Sequence, residues 1–299
     1  MGSRWREKLL SRGSTFDPRN PAAWVLVLSI VAMVNVTSYF ARVYHYNVVD
    51  DAYISFQYAK NWVLGNGLVF NVGERVEGYT NFLWVVVLAP LYAATEALGV
   101  DFTRVAIGLN VIIACVDLAL VFAVCARLPG TNWLVGSVAV LLCTLDNAYQ
   151  GYALSALENH LVILLLLVSV LLWQAKPRRW ALWLGLSLAL VVMTRPDGAL
   201  FPAAFGLGVG AGVVLPARYR DHLSRRSFAG RVLLVLGVSA LVYGAYFAWR
   251  YSYYGALLPN TFYVKVGETL EAVPRGLVYA NGFLADRYYL PLAALFAIR

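Results

Sequence analysis

Two adjacent carboxylates, Asp50 and Asp51, stand a few residues beyond an apolar run, Ala22 to Phe40, that is long enough to cross a bilayer. Charged groups at a membrane edge are costly to place without a use. A helical pattern follows at once, so the peptide N–H groups of its first turn would stabilise the charged form and leave a base able to take a hydroxyl proton. The same position serves a plainer purpose, because Asp is a preferred helix N-cap and favours the positive end of the helix dipole, and capping is the commoner use. Further on, Arg195 and Asp197 flank Pro196 where an apolar helix ends. They suit either a charged site or a snorkelling Arg beside a helix-start Asp. Lys265 follows Pro259 to Tyr263, where its point charge could meet a phosphate or simply be solvated. Asp117 lies inside an apolar segment, which makes it a functional candidate by default, although its depth argues for an internal hydrogen bond.

The elements that must carry these residues are helices. From Ala52 to Leu64, Ile54, Tyr58 and Trp62 fall on one line and Phe56, Ala59 and Val63 on another, with Ser55, Gln57, Lys60 and Asn61 between them. That spacing predicts a helix lying in the membrane interface, ended by Gly65-Asn66-Gly67, whose glycines accept a left-handed turn. Later apolar segments run over Phe82 to Leu98, Val105 to Ala126, Trp133 to Leu145, His160 to Trp173, Trp180 to Val192, Ala199 to Leu215 and Val232 to Trp249. With 61% hydrophobic and 13% charged residues, the chain reads as an all-α polytopic membrane protein, and no second soluble domain is visible.

The net charge of +8 does not point to nucleic acid, because the basic excess sits in short loops between apolar segments. Residues 1–21 form a basic tail, expected in the cytoplasm, and residues 22–299 form the membrane domain. The basic loops Gln174 to Arg179 and Pro216 to Arg231 belong on the cytoplasmic side, which puts a first loop, 44–104, and most acids on the outer side. Counting every apolar segment as a crossing breaks this parity. Phe82 to Leu98 is the segment expected not to cross, because Pro90 interrupts it and Glu96 and Asp101 follow it, leaving about seven spans before Arg287. Cys115, Cys125 and Cys143 lie in apolar runs without ligand spacing and read as small core residues. His45, His160 and His222 form no cluster, and no glycine-rich phosphate loop occurs.

Three stretches together resemble a known family: DDAYISFQYAKNWVLGNGLVFNVGERVEGYTNFLW from Asp50 to Trp84, TRPDG from Thr194 to Gly198, and LLPNTFYVK from Leu257 to Lys265. They resemble the membrane glycosyltransferases of the GT-C class, and within it the polyprenyl-phosphate-arabinose-dependent arabinofuranosyltransferases of the actinobacterial cell wall. The resemblance implies a GT-C-like transmembrane helix bundle in the cell membrane, with interfacial helices in the first outer loop. It implies a polyprenyl-phosphate sugar donor, a cell-wall glycan such as arabinan as acceptor, and a site facing the outer, periplasmic side. Asp50 or Asp51 would then be catalytic. Arg75, Glu77, Arg195, Asp197, Asn260, Tyr263 and Lys265 would bind the donor, with Arg195 and Lys265 on its phosphate.

Asp146 and Glu158 match only loosely the outer-loop acids that assist the site or bind a metal in that class. A divalent cation is therefore left open, no other cofactor is assigned, and helix capping is the commoner use of both acids. Inverting and retaining schemes both stay open. The resembled enzymes are longer, so this chain is expected to be their N-terminal part. A transporter or a polyprenyl-lipid-binding scaffold would use the same bundle without chemistry. Acids gathered on one outer face, without acid and base pairs recurring along successive helices, favour the enzyme.

Overall fold

The computed structural model describes residues 24–34, 48–128, 133–214, 225–265 and 269–286. The basic tail, His45, His222 and the apolar run after Tyr288 lie outside the described residues, as does the side chain of Lys265.

Helix starts follow local chemistry. Helix α1 is Trp24–Val34. In α2, Asp50–Val63, both acids occupy the first turn and Lys60 the last, each matching the sign of the dipole at its end. Gly65 follows with φ of 81°, the left-handed turn the sequence asks for. Asp101 caps α4, Phe102–Cys125, by accepting from the Arg104 N–H at 2.8 Å. Asp146 does the same for α6, Asn147–Leu154, through the Tyr149 N–H at 2.8 Å. Between these lie α3, Phe82–Leu98, and α5, Trp133–Leu145. Then come α7, Asn159–Ala175; α8, Trp180–Thr194; a 3-10 turn, Pro196–Ala199; α9, Leu200–Val214; α10, Arg225–Tyr254; α11, Asn260–Lys265; and α12, Thr269–Asp286.

Two expectations are corrected. Pro90 does not interrupt α3, which stays helical from end to end. A helix tolerates an internal proline when the carbonyl left unpaired four residues earlier can be met otherwise, and Pro90 itself is exposed. Secondly, the polar residues between the apolar lines of the α2 pattern do not all face outward: Ser55 and Asn61 turn inward. Both are buried, with Ala52, Phe56, Tyr58 and Ala59. Asn61 donates through Nδ2 to the carbonyls of Val69 and Phe70 at 2.9 and 2.8 Å, which folds the loop after α2 back along the helix.

The core that positions the site is formed where α2, α3 and α4 meet the segment linking α6 to α7. Phe56, Tyr58, Trp84, Leu88, Ile107 and Leu154 belong to it. A second core joins α8 to α10 through Leu184, Leu188 and Val235. At Gly185 a Cβ would lie 2.6 Å from the Val235 carbonyl oxygen, so the two backbones touch there and only glycine fits. The Ser239 hydroxyl donates to the Gly185 carbonyl at 2.7 Å across the same contact.

Among the described residues there is no strand. Helices α4 and α10 are long and apolar enough to cross a membrane, and α6 with α7 form a further apolar pair bent by 115°. Leu207 and Leu241, 77% and 73% exposed, would be costly against water and suit lipid. The chain is an all-α polytopic membrane protein.

Candidate active site

The two carboxylates that open α2 are not its caps. Val49 holds the N-cap position in extended conformation without a side-chain bond, and Asp50 and Asp51 follow it in the first turn, both exposed. Among the described residues neither carboxylate has a hydrogen-bond or ion-pair partner. They stand at the positive end of the helix dipole, which favours negative charge.

One turn further along α2, on the face that carries Asp51, a buried polar chain begins. The Ser55 hydroxyl meets the Asn81 carboxamide, whose Nδ2 also donates to Glu158 Oε2 at 2.8 Å. The other oxygen of Glu158 accepts from Arg195 Nη1 at 3.2 Å, and the same nitrogen donates to Asn159 Oδ1 at 3.2 Å. Arg195 then clasps Asp197 with two parallel bonds of 3.1 Å. The hydrogen bonding that Arg195 donates to Asp197 is the main reason the guanidinium is held still more firmly protonated than usual, so Arg195 is a fixed cation. It sits in the break after α8, extended at φ −151°, and Pro196 starts the 3-10 turn that brings Asp197 back beside it.

A second group forms at the end of α10. Glu77 and Arg250 make an ion pair of 2.6 Å, with side chains only 2% and 5% exposed. Burial pushes the Glu77 carboxyl above its ordinary range, while the hydrogen bonds and charge of Arg250 pull it back. Around this pair the backbone is tied down. The Asn260 N–H donates to the Glu77 carbonyl at 2.9 Å, and Arg250 Nη1 donates to the Leu257 carbonyl at 2.9 Å. The Arg75 guanidinium lies 5.0 Å from the Tyr253 ring centroid, and the hydroxyl of Tyr253 accepts from the Leu68 N–H at 3.1 Å. Tyr263 is exposed and accepts from the Leu258 N–H at 3.3 Å.

The sequence-predicted residues therefore divide. Glu158, Arg195 and Asp197 come together, as do Glu77 and Asn260, while Arg75 lies over the Tyr253 ring and Asp146 caps α6. The chain is 27% identical over 252 residues to the terminal beta-(1->2)-arabinofuranosyltransferase of Mycobacterium tuberculosis (strain ATCC 25618 / H37Rv), a match covering 79% of this chain. The chain is thus similar to an arabinofuranosyltransferase. It spans 37% of the length of that relative. No family model matches it, and no solved structure matches it.

Chemically, the arrangement offers two exposed carboxylates in the first turn of α2, a fixed half-exposed cation, and a hydrogen-bonded chain that joins that cation to Ser55 of α2. The Asp146 carboxylate is used in capping, both oxygens of Glu158 accept from protein donors, and among the described residues no group of three ligand-type side chains occurs. Four residues that the sequence reading left out prove central: Ser55, Asn81, Asn159 and Arg250. Their signal was weak but present, since a buried amide or guanidinium next to apolar runs must find a partner.

Proposed function

We propose that this chain carries the catalytic membrane portion of a glycosyltransferase that moves a sugar, arabinofuranose, from a polyprenyl-phosphate donor to a hydroxyl of a cell-wall glycan at the outer face of the cell membrane. The observation that carries the reading is the pair Asp50 and Asp51: exposed, without a cap bond, at the positive end of α2 and one turn from the Ser55, Asn81, Glu158 and Arg195 chain. The likeness to an arabinofuranosyltransferase supports the sugar.

In an inverting displacement one of the two Asp carboxylates takes the proton of the acceptor hydroxyl, whose oxygen attacks the anomeric carbon. The bond to the phosphate oxygen breaks, and polyprenyl phosphate leaves with an added negative charge. In a retaining scheme a carboxylate attacks first and the acceptor hydroxyl displaces it. Arg195 and Lys265 are the cations assigned to the leaving phosphate, because a fixed positive charge favours the transition state over the ground state, and Arg75 belongs to the wider donor-binding set. Asp197, Asn260 and Tyr263 border the donor in this reading, and Glu77 acts from beneath through Arg250. Helix α3 stays on the outer side, so cysteines placed near Glu96 and near Gly73 both react with an impermeant thiol reagent from outside.

The direct test is incubation of the purified protein in lipid with polyprenyl-phosphate-arabinose and an arabinan acceptor, with the anomeric form of the product determined. Transfer supports the proposal. Donor binding without release of polyprenyl phosphate, with the C-terminal portion of the longer relatives supplied and several acceptors tried, favours a lipid-binding scaffold.

A further inference from the structure

Glu158 does not sit on a regular helix. It lies in the bend between α6 and α7, where the chain turns by 115° and Ala156 adopts a left-handed φ of 57°. Such a conformation is unfavourable for a residue with a Cβ and persists only where surrounding contacts over-determine it. Three buried side chains supply those contacts. Trp84 Nε1 of α3 donates to the Ala156 carbonyl at 3.0 Å, and Asn110 Nδ2 of α4 donates to the Tyr152 carbonyl at 2.9 Å. The third is His160, fully buried, the second residue of α7 and two positions from Glu158.

The imidazole of His160 spans the bend. Its Nε2 lies 3.0 Å from the Tyr149 carbonyl of α6, and its Nδ1 lies 2.9 Å from Asp117 Oδ2 of α4, also fully buried. The Tyr149 ring packs edge-on against it, and the Tyr149 hydroxyl donates to the Ala114 carbonyl of α4 at 2.6 Å. A carbonyl oxygen can only accept, so Nε2 must carry a hydrogen. The contact between Nδ1 and Asp117 then holds one shared proton, and the pair as a whole carries no net charge. That is how a carboxyl can sit in an apolar core. A core histidine that only filled space would bond within one neighbourhood. This one ties together the helices on both sides of the bend and a third helix beneath it.

We infer that His160, held by Asp117, is a positioning residue that locks the bend between α6 and α7 and thereby fixes Glu158 against Asn81 and Arg195. The catalytic consequence rests on the proposed transferase reading, whereas the conformational one does not. Asp117→Asn is the discriminating variant. Its amide can donate to Nδ1 while Nε2–H still donates to Tyr149, so the strut survives without a carboxyl. Asp117→Leu removes the partner, and His160→Ala removes the strut.

Full-length protein in lipid should be compared by hydrogen exchange over residues 147–160 and by transfer kinetics. Expected is a rise in exchange of this segment by about tenfold or more in His160→Ala and Asp117→Leu, with the rest of the protein little changed. Asp117→Asn should stay close to wild type. The maximal rate should fall about tenfold or more in the first two variants, donor KM should change by less than about threefold, and Asp117→Asn should keep both. Unchanged exchange in folded His160→Ala overturns the proposal. So does an Asp117→Asn protein as impaired as Asp117→Leu, a comparison that still decides if His160→Ala does not fold. If the wild type transfers no sugar, the exchange results stand alone and the failure belongs to the functional reading.

Discussion

Glu77 with Arg250, and Arg195 with Glu158 and Asp197, are made from the same two kinds of side chain, yet their surroundings differ sharply. The first pair is dry, with both side chains at most 5% exposed, and its partners are backbone carbonyls and N–H groups that hold a loop to the end of α10. In the second cluster Arg195 is 39% and Asp197 62% exposed, and only Glu158 is enclosed. A buried pair cannot exchange its partner for a ligand without leaving a charge stranded in low dielectric, so it serves the architecture. A half-exposed cation bordered by an exposed carboxylate can turn toward an incoming anion at small cost. In the proposed reading the cluster near α8 meets the substrate charge, whereas the pair near α10 holds the loop that follows α10.

The strongest way to break this contrast is to remove one member of the buried pair. Glu77→Gln or Arg250→Met should lower stability by about 3–5 kcal/mol, because the remaining charge is left buried and unpaired. Thermal unfolding in detergent reads this as a large drop in Tm. The double variant should recover much of the loss. A single variant as stable as wild type would mean that the pair is not a clasp.

Next in size is the effect of Asp50→Asn and Asp51→Asn. Removal of a general base should cost on the order of a hundredfold or more in rate. Stability should hardly change, because neither carboxylate caps α2 or has a partner among the described residues. Full activity in both variants would end the catalytic assignment.

The reach of the sequence differs between these regions for a physical reason. Helix positions were legible: α3 and α5 have the bounds that hydrophobic periodicity predicts, and the glycine turn after α2 falls where expected. Helix α6 is not legible in the sequence, because Asn147 to Leu154 is short and mixed in polarity and leaves no apolar run to detect. Partners could not be read. Glu77 and Arg250 are 173 positions apart, and Asn81 and Glu158 are 77 apart, and nothing local in either sequence marks the other. Glu77 thus stood in the donor-binding set on the strength of its motif, and only the fold shows how deeply it lies. Asp117 was the exception, since a carboxylate inside an apolar run announces that something must satisfy it.

A smaller effect is expected from Arg195→Gln. The variant keeps hydrogen-bond donors but loses the fixed charge, so the maximal rate should fall about tenfold while donor binding weakens less. The same split is expected of Lys265→Gln. Weaker donor binding with unchanged turnover at saturating donor would mean that these cations bind ground and transition states alike.

The smallest effect sharpens the comparison most. Asp197→Asn leaves an oxygen that can still accept one bond from Arg195, but it removes the second of the two hydrogen bonds that do most to hold the guanidinium, and the carboxylate charge with it. Because Asp197 is largely exposed, solvent already screens the pair, and stability should move by less than about 1 kcal/mol. The loss of a competing anion should let Arg195 meet the donor phosphate more readily, lowering donor KM by a few-fold with little change in maximal rate. Measured beside Glu77→Gln, the variant asks whether the exposed and buried pairs differ in kind. A Tm drop as large as that of Glu77→Gln would place Asp197 in the framework. A collapse of the maximal rate with Tm intact would make its carboxylate a direct participant in the transfer, not a neighbour that yields to the phosphate.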